Sequence, residues 1–218
     1  MISTGDNMNI GIDIDGVLED YGNYIRTHGA EYFQKRYHMS IVNPAGYSAE
    51  EVFGCTRKQS KAFWFRNARR YWTTEPAIKG SAEVIGKLSG EGHIIHLITG
   101  RAFTADKGPQ RWISRGLLRR WLRQNGIIYD EIVFCPQKEP APEKLAACKR
   151  HRIDTMVDDD PENIATLKDS LHMIVFDSPW NKRVGDENLY RAHSWQEVYD
   201  IVHQIEKDAS SDPHQSSE

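Results

Sequence analysis

Apolar residues in this chain gather in short, nearly uninterrupted runs. Five of these runs predict strands, at 9–14, 94–98, 132–135, 155–157 and 173–176. Runs with so little polar alternation suit a parallel sheet buried on both faces. Between them the apolar spacing changes to three and four. Residues 82–88 place Val84, Ile85 and Leu88 on one helical face before Gly90 and Gly92. Residues 112–121 repeat the pattern through Ile113, Leu117 and Leu118 and on to Leu122, and Gly126 ends it. Residues 161–171 begin with Pro161 in the first turn and continue through Ile164, Leu167 and Leu171. Strands alternating with helices in this way predict an α/β sandwich around a parallel central sheet.

One stretch breaks the rhythm. Residues 18–74 are crowded with aromatics, including the consecutive Phe63, Trp64 and Phe65. With 218 residues the chain is long enough for one α/β domain plus an insertion. We therefore expect a core domain at 1–17 and 75–207, a small helical insertion at 18–74 after the first strand, and a disordered tail at 208–218. That tail is nearly devoid of apolar residues. Three adjacent aromatics cannot all face inward on one helix. Phe63, Trp64 and Phe65 are thus candidates for stacking on a planar ligand group, the alternative being that they fill the insertion's own core.

The hydrophobic fraction of 39% and charged fraction of 27% fit a globular protein, and a net charge of −3 leaves no global basic field that would argue for nucleic acid. Arg111, Arg115, Arg119, Arg120 and Arg123 crowd one helical window. They suit a solvated face, or contact with a phosphate-rich ligand. Cys55, Cys135 and Cys148 form neither an even framework nor a CxxC pair, so a reducing, cytoplasmic setting is the expectation. No signal-like apolar core opens the chain and no run has membrane-spanning length, so no membrane partner is expected.

The densest chemistry lies at Asp13-Ile14-Asp15-Gly16, directly after the first strand. Two carboxylates one residue apart raise each other's pKa unless a cation neutralises them. Gly16 lets the chain leave in a conformation that a Cβ would resist. An Asp-rich solvated turn would look the same in isolation. Three more segments accompany it: Thr99-Gly100-Arg101 after the second strand, Lys144 at the opening of a helix through 145–148, and Asp158-Asp159-Asp160-Pro161 after the fourth strand. Each alone is ordinary, as a turn, a surface lysine or an acidic helix cap. Ligands bind outside the carboxyl ends of parallel strands, where these segments would converge.

In that order the four segments resemble the motifs of the haloacid-dehalogenase (HAD) superfamily of phosphohydrolases. The tract Tyr129-Asp130-Glu131-Ile132-Val133-Phe134 and the late Phe176-Asp177-Ser178-Pro179-Trp180-Asn181 are similar to those of its 5′(3′)-deoxyribonucleotidases and their bacterial relatives. The resemblance implies a Rossmann-like three-layer sandwich with residues 18–74 as a helical cap. It also implies a Mg²⁺-dependent phosphomonoesterase acting on nucleoside or deoxynucleoside monophosphates. Asp13 would be the nucleophile and Asp15 the acid/base. Mg²⁺ would be held by Asp13, the Asp15 carbonyl and the Asp158-Asp159 pair, with Asp159 favoured for direct coordination. Thr99, Gly100, Arg101 and Lys144 would bind the substrate phosphate. A HAD phosphatase for another small phosphorylated metabolite, or a silent binding protein on the same scaffold, are the competing readings. Asp15 argues against the silent binder and against the dehalogenase branch, since neither needs an acid for a leaving alkoxide.

Overall fold

The computed structural model describes residues 7–101, 104–105, 108–136, 140–185 and 189–211. Six strands form one parallel sheet: β1 (Asn9–Ile12), β2 (Ile94–Thr99), β3 (Glu131–Phe134), β4 (Thr155–Asp158), β5 (His172–Phe176) and β6 (Leu189–Ala192), in the order β3-β2-β1-β4-β5-β6. The expected α/β sandwich is present. The apolar runs do not reveal the sixth strand, because Leu-Tyr-Arg-Ala is too short and too polar to read as a buried run. It needs no such run, lying at the sheet edge with β5 as its one neighbour among the described residues.

Alternate side chains divide the sheet between two cores. Ile10, Ile12, Ile95, Leu97, Val157, Ile174 and Phe176 pack with α5 (Ser81–Gly90), α6 (Pro109–Gln124) and α9 (Trp195–Ser211). Ile98, Met156, Met173 and Val175 pack with α7 (Pro140–Arg150) and α8 (Pro161–Leu167). Each fully buried aliphatic side chain contributes roughly 1.5–3 kcal/mol, which is why both strand faces are apolar. Helix α7 begins four residues before Lys144 rather than at it, since Pro140 and Pro142 are tolerated in a first turn where no N–H partner is lost. Helix α8 stops at Leu167, short of the expected Leu171. Helix α9 runs to Ser211, so residues 208–211 are helical rather than tail. Polar residues can occupy a last turn whose preceding turns are anchored by Val198, Val202 and Ile205. Residues 212–218 lie outside the described residues.

Between β1 and β2 the chain builds a separate helical cluster. Helix α1 (Tyr21–Tyr24) continues through a π-helical turn (Ile25–Gly29) into α2 (Ala30–Tyr37), followed by α3 (Ala49–Phe53) and α4 (Arg57–Thr74). A capping box between Thr56 and Gln59 starts α4. Tyr24, Ile25, Phe33, Val52, Phe53, Phe63 and Tyr71 form a third core of their own. The chain leaves and re-enters the sheet at one place, where Ile78 N–H donates to Leu18 O at 2.8 Å. No helix among the described residues is long and apolar enough to cross a membrane.

Candidate active site

Asp13 follows β1, Gly100 and Arg101 follow β2, and Asp158 ends β4 with Asp159 and Asp160 just beyond. Parallel strands bring all of these to one edge of the sheet, and Lys144 reaches it from α7. Lys144 is 2% exposed, and its Nζ donates to Asp13 Oδ1 and to Asp158 Oδ2, each at 2.7 Å. A cleft of about 90 Å³ opens there, lined by Asp13, Asp15, Tyr47, Gly100, Arg101, Pro140, Lys144, Asp160 and Asn163.

The three aspartates differ in how much of their hydrogen-bonding capacity is used. Asp158 is saturated: Oδ2 takes Lys144, and Oδ1 accepts from Asp160 N–H at 3.0 Å and Asn163 Nδ2 at 3.1 Å. Asp160 caps α8 by accepting from Glu162 N–H at 2.8 Å. Asp159 is held at one end only. Trp180 Nε1 donates to its Oδ2 at 3.0 Å and Asn181 Nδ2 to its backbone O at 2.9 Å. Asp159 Oδ1 is buried with no hydrogen-bond partner. Such an orphaned carboxylate oxygen is costly unless a cation meets it. One oxygen each of Asp13, Asp158 and Asp159 lie within 4.8 Å of one another.

Electrostatics point the same way. Burial pushes the Asp13 carboxyl up to about 7 against the pull of Lys144, with Asp158 and Asp15 adding to the rise. Burial, then Asp158 and Asp13, holds Asp159 well above the ordinary carboxylate value. Burial opposes the Lys144 charge, but Asp13 and Asp158 overcome it and keep the ammonium protonated. Three carboxylates against one ammonium leave uncompensated negative charge, so an all-oxygen donor set of this kind fits a hard divalent cation.

Asp15 belongs to a different network. Arg101 grips it through Nε to Oδ2 at 3.0 Å and Nη2 to Oδ1 at 2.6 Å, and Tyr71 Oη donates to Oδ1 at 2.9 Å. The same Arg101 Nη2 pairs with the fully buried Glu19. Arg101, expected among the phosphate ligands, therefore spends most of its donors on carboxylates, leaving Nη1 without a partner. Thr99 is fully buried and its Oγ1 accepts from Arg101 N–H at 3.1 Å, so it shapes the turn and does not line the cleft.

The aromatic candidates separate sharply. Phe63 is fully buried in the insertion core and Phe65 is 91% exposed, so neither lines the cleft. Position on α4 decides this: neighbours 63 and 65 lie about 200° apart around a helix. Trp64 stacks on Tyr21 with ring centroids 5.7 Å apart. Tyr21 in turn lies 5.2 Å from Tyr47, and Tyr47 lies 5.4 Å from Trp180. The motifs do not single out Tyr47, Trp180, Asn163, Tyr71 or Glu19 as site residues. Trp180 and Asn163 had a sequence signal, in the Ser-Pro-Trp-Asn tract and one turn after Asp159. Tyr47 sits in an irregular segment with no motif around it.

Comparison with known proteins agrees with this geometry. Residues 7–208 match the family described as 5′ nucleotidase, deoxy (pyrimidine), cytosolic type C protein. A Chlorobaculum tepidum protein described as a 5′(3′)-deoxyribonucleotidase is 27% identical over 209 residues, covering 88% of this chain and 89% of that one. A Clostridium acetobutylicum nucleotidase is 22% identical over 201 residues, covering 92% and 96%. Among solved structures, a HAD-superfamily hydrolase of subfamily IA from Geobacter sulfurreducens superposes with a TM-score of 0.60 at 15% identity, covering 92% of this chain and 99% of that one. The D,D-heptose 1,7-bisphosphate phosphatase of B. bronchiseptica, complexed with magnesium and phosphate, superposes with a TM-score of 0.53 at 15% identity, covering 91% and 99%. The solved structures share the fold of HAD-type hydrolases. The matched family region contains every strand of the sheet and every side chain of the acidic cluster, and the chain belongs to that 5′-nucleotidase family.

Proposed function

We propose that the chain is a Mg²⁺-dependent 5′-nucleotidase that hydrolyses nucleoside or deoxynucleoside monophosphates through an aspartyl-phosphate on Asp13. The observation that carries this is the pairing of Lys144-held Asp13 with the orphaned Asp159 Oδ1 beside one cleft. Asp13 and Asp159 side chains and the Asp15 carbonyl would hold the cation, while Asp158 positions Lys144. Bound there, Mg²⁺ would neutralise phosphate charge and orient it. Lys144 engages Asp13 Oδ1 and leaves Oδ2 as the attacking oxygen. An Asp13 O–P bond forms as the P–O bond to the nucleoside breaks, and Asp15 gives its proton to the departing alkoxide. Asp15 then takes a proton from water, whose oxygen attacks phosphorus and releases Asp13 and inorganic phosphate. Arg101 bridges Asp15 and the buried Glu19 and so positions the Asp15 carboxyl beside the cleft. Gly100 N–H is a donor for phosphate oxygens at the cleft edge.

The nucleoside would lie against Tyr47 and the Tyr21–Trp180 edge, the aromatic surface continuous with the cleft. The test is phosphate release from a panel of nucleoside monophosphates and sugar phosphates with and without Mg²⁺. Preference for nucleotides with loss of turnover in excess chelator supports the reading. Undiminished turnover after removal of all divalent metal would overturn the metal-assisted route, and preference for sugar phosphates would overturn the substrate class.

A further inference from the structure

We propose that His96, Glu131 and His151 form a second metal site, for a borderline transition cation of the Zn²⁺ type, at the opposite end of the sheet from the acidic cleft. Glu131 opens β3 and pairs in register with His96 on β2, while His151 directly follows α7 as the chain turns back toward β4. Glu131 Oε2 lies 3.0 Å from His151 Nδ1 and 3.7 Å from His96 Nδ1. One ligand atom from each of the three residues falls within 4.8 Å of the others. Tetrahedral Zn²⁺ with bonds of about 2.0–2.2 Å places neighbouring donor atoms roughly 3.3 Å apart, between the two observed separations.

The second observation is the state of His96. Its side chain is 8% exposed, and Nδ1 is buried without a hydrogen-bond partner while facing the cluster. Nε2 lies 3.4 Å from Asn9 Oδ1. An N–H on Nε2 directed at that oxygen leaves a lone pair on Nδ1, which is the orientation an outer-shell partner imposes on a metal-binding imidazole. A lone-pair nitrogen opposite a carboxylate presents two acceptors that a cation would bridge. Two imidazoles and one carboxylate are a donor set for zinc-like ions rather than Mg²⁺. The Glu131 side chain is 49% exposed, which gives an entry path and room for water as fourth ligand. His93 does not take part, because its Nδ1 accepts from Met8 N–H at 3.2 Å and its Nε2 faces Glu206. The site would tie β2 and β3 to the end of α7, the helix that carries Lys144.

Equilibrium dialysis of the full chain against Zn²⁺ in excess Mg²⁺, followed by thermal melting, tests this. Wild type and Asp159→Asn should each bind a single zinc ion, with Tm raised by about 5–10 °C at a hundredfold excess over Kd. His151→Ala should lose at least about tenfold in zinc affinity and the Tm gain. It should retain wild-type phosphatase turnover with Mg²⁺ alone, which shows that the variant is folded. The proposal is overturned if wild type binds no zinc, if His151→Ala binds it undiminished, or if Asp159→Asn abolishes binding and so places the ion in the acidic cleft. Glu131→Gln, half-exposed and unable to disturb the core, provides a second variant expected to weaken binding.

Discussion

A Cβ added at Gly16 would lie 2.0 Å from Asp159 Oδ2, and the residue has φ of +90°. Both facts follow from one requirement: the turn after Asp15 must pass close enough to β4 for Asp159 to reach the Asp13 cluster. Gly16→Ala should therefore lose on the order of 3 kcal/mol of stability and most turnover, read by thermal melting and phosphate release. Asp13→Asn tests the chemistry without that strain. An amide is a poor nucleophile and a weaker ligand for a hard cation, so kcat should fall by at least about 10³-fold with an unchanged melting curve. A folded Asp13→Asn protein with near-native turnover would move the nucleophile elsewhere.

On α4, three consecutive aromatics have three different surroundings, and single substitutions should separate them. Phe63→Ala removes a fully buried ring from the insertion core and should cost about 3–5 kcal/mol, whereas Phe65→Ala, at 91% exposure, should change stability by less than about 0.5 kcal/mol. Chemical denaturation distinguishes the two. The irregular segment before α3 supplies Tyr47, which touches both the cleft and the Tyr21–Trp180 surface. Tyr47→Ala should lower kcat/KM for the best nucleotide by up to about tenfold relative to p-nitrophenyl phosphate. An unchanged ratio would remove Tyr47 from substrate recognition.

Across the whole molecule, pH stability should depend on His93, which joins the amino end of β1 to α9. Its side chain is 2% exposed, and Nδ1 accepts from Met8 N–H, a bond that protonation at Nδ1 would break. Burial lowers its pKa from 6.5, against the opposing influence of Glu206 and Glu91, with His203 adding to the fall. The unfolded chain therefore binds the proton more readily than the native one. The His93 contribution is complete above pH 6.5 and is lost as pH falls through the depressed native value. Between pH 7.5 and 5, Tm of wild type should fall more steeply than that of His93→Gln. Parallel curves would show that other groups govern acid sensitivity.

The sequence by itself determined the parallel sheet, because strands buried on both faces must be continuously apolar. It also located three of the four chemical segments, because Asp13, Thr99 and Asp158 lie where strands end. Lys144 was recognisable only through its place in that order; a lone lysine carries no such signal, and only the structure shows it 2% exposed between Asp13 and Asp158. Periodicity could not reveal β6, whose edge position spares it from needing an apolar run. It could not separate Asp158 from Asp159 either, since adjacent aspartates look alike until one is saturated with donors and the other is left with an open oxygen. Arg101, Glu19 and Tyr71 meet around Asp15 from the ends of two different elements and a buried turn, and Tyr47 reaches the cleft from an irregular segment. Contacts between residues so far apart in the chain depend on how the insertion docks on the sheet. Local sequence pattern holds no record of that docking, so the tertiary structure alone decided which side chains complete the site.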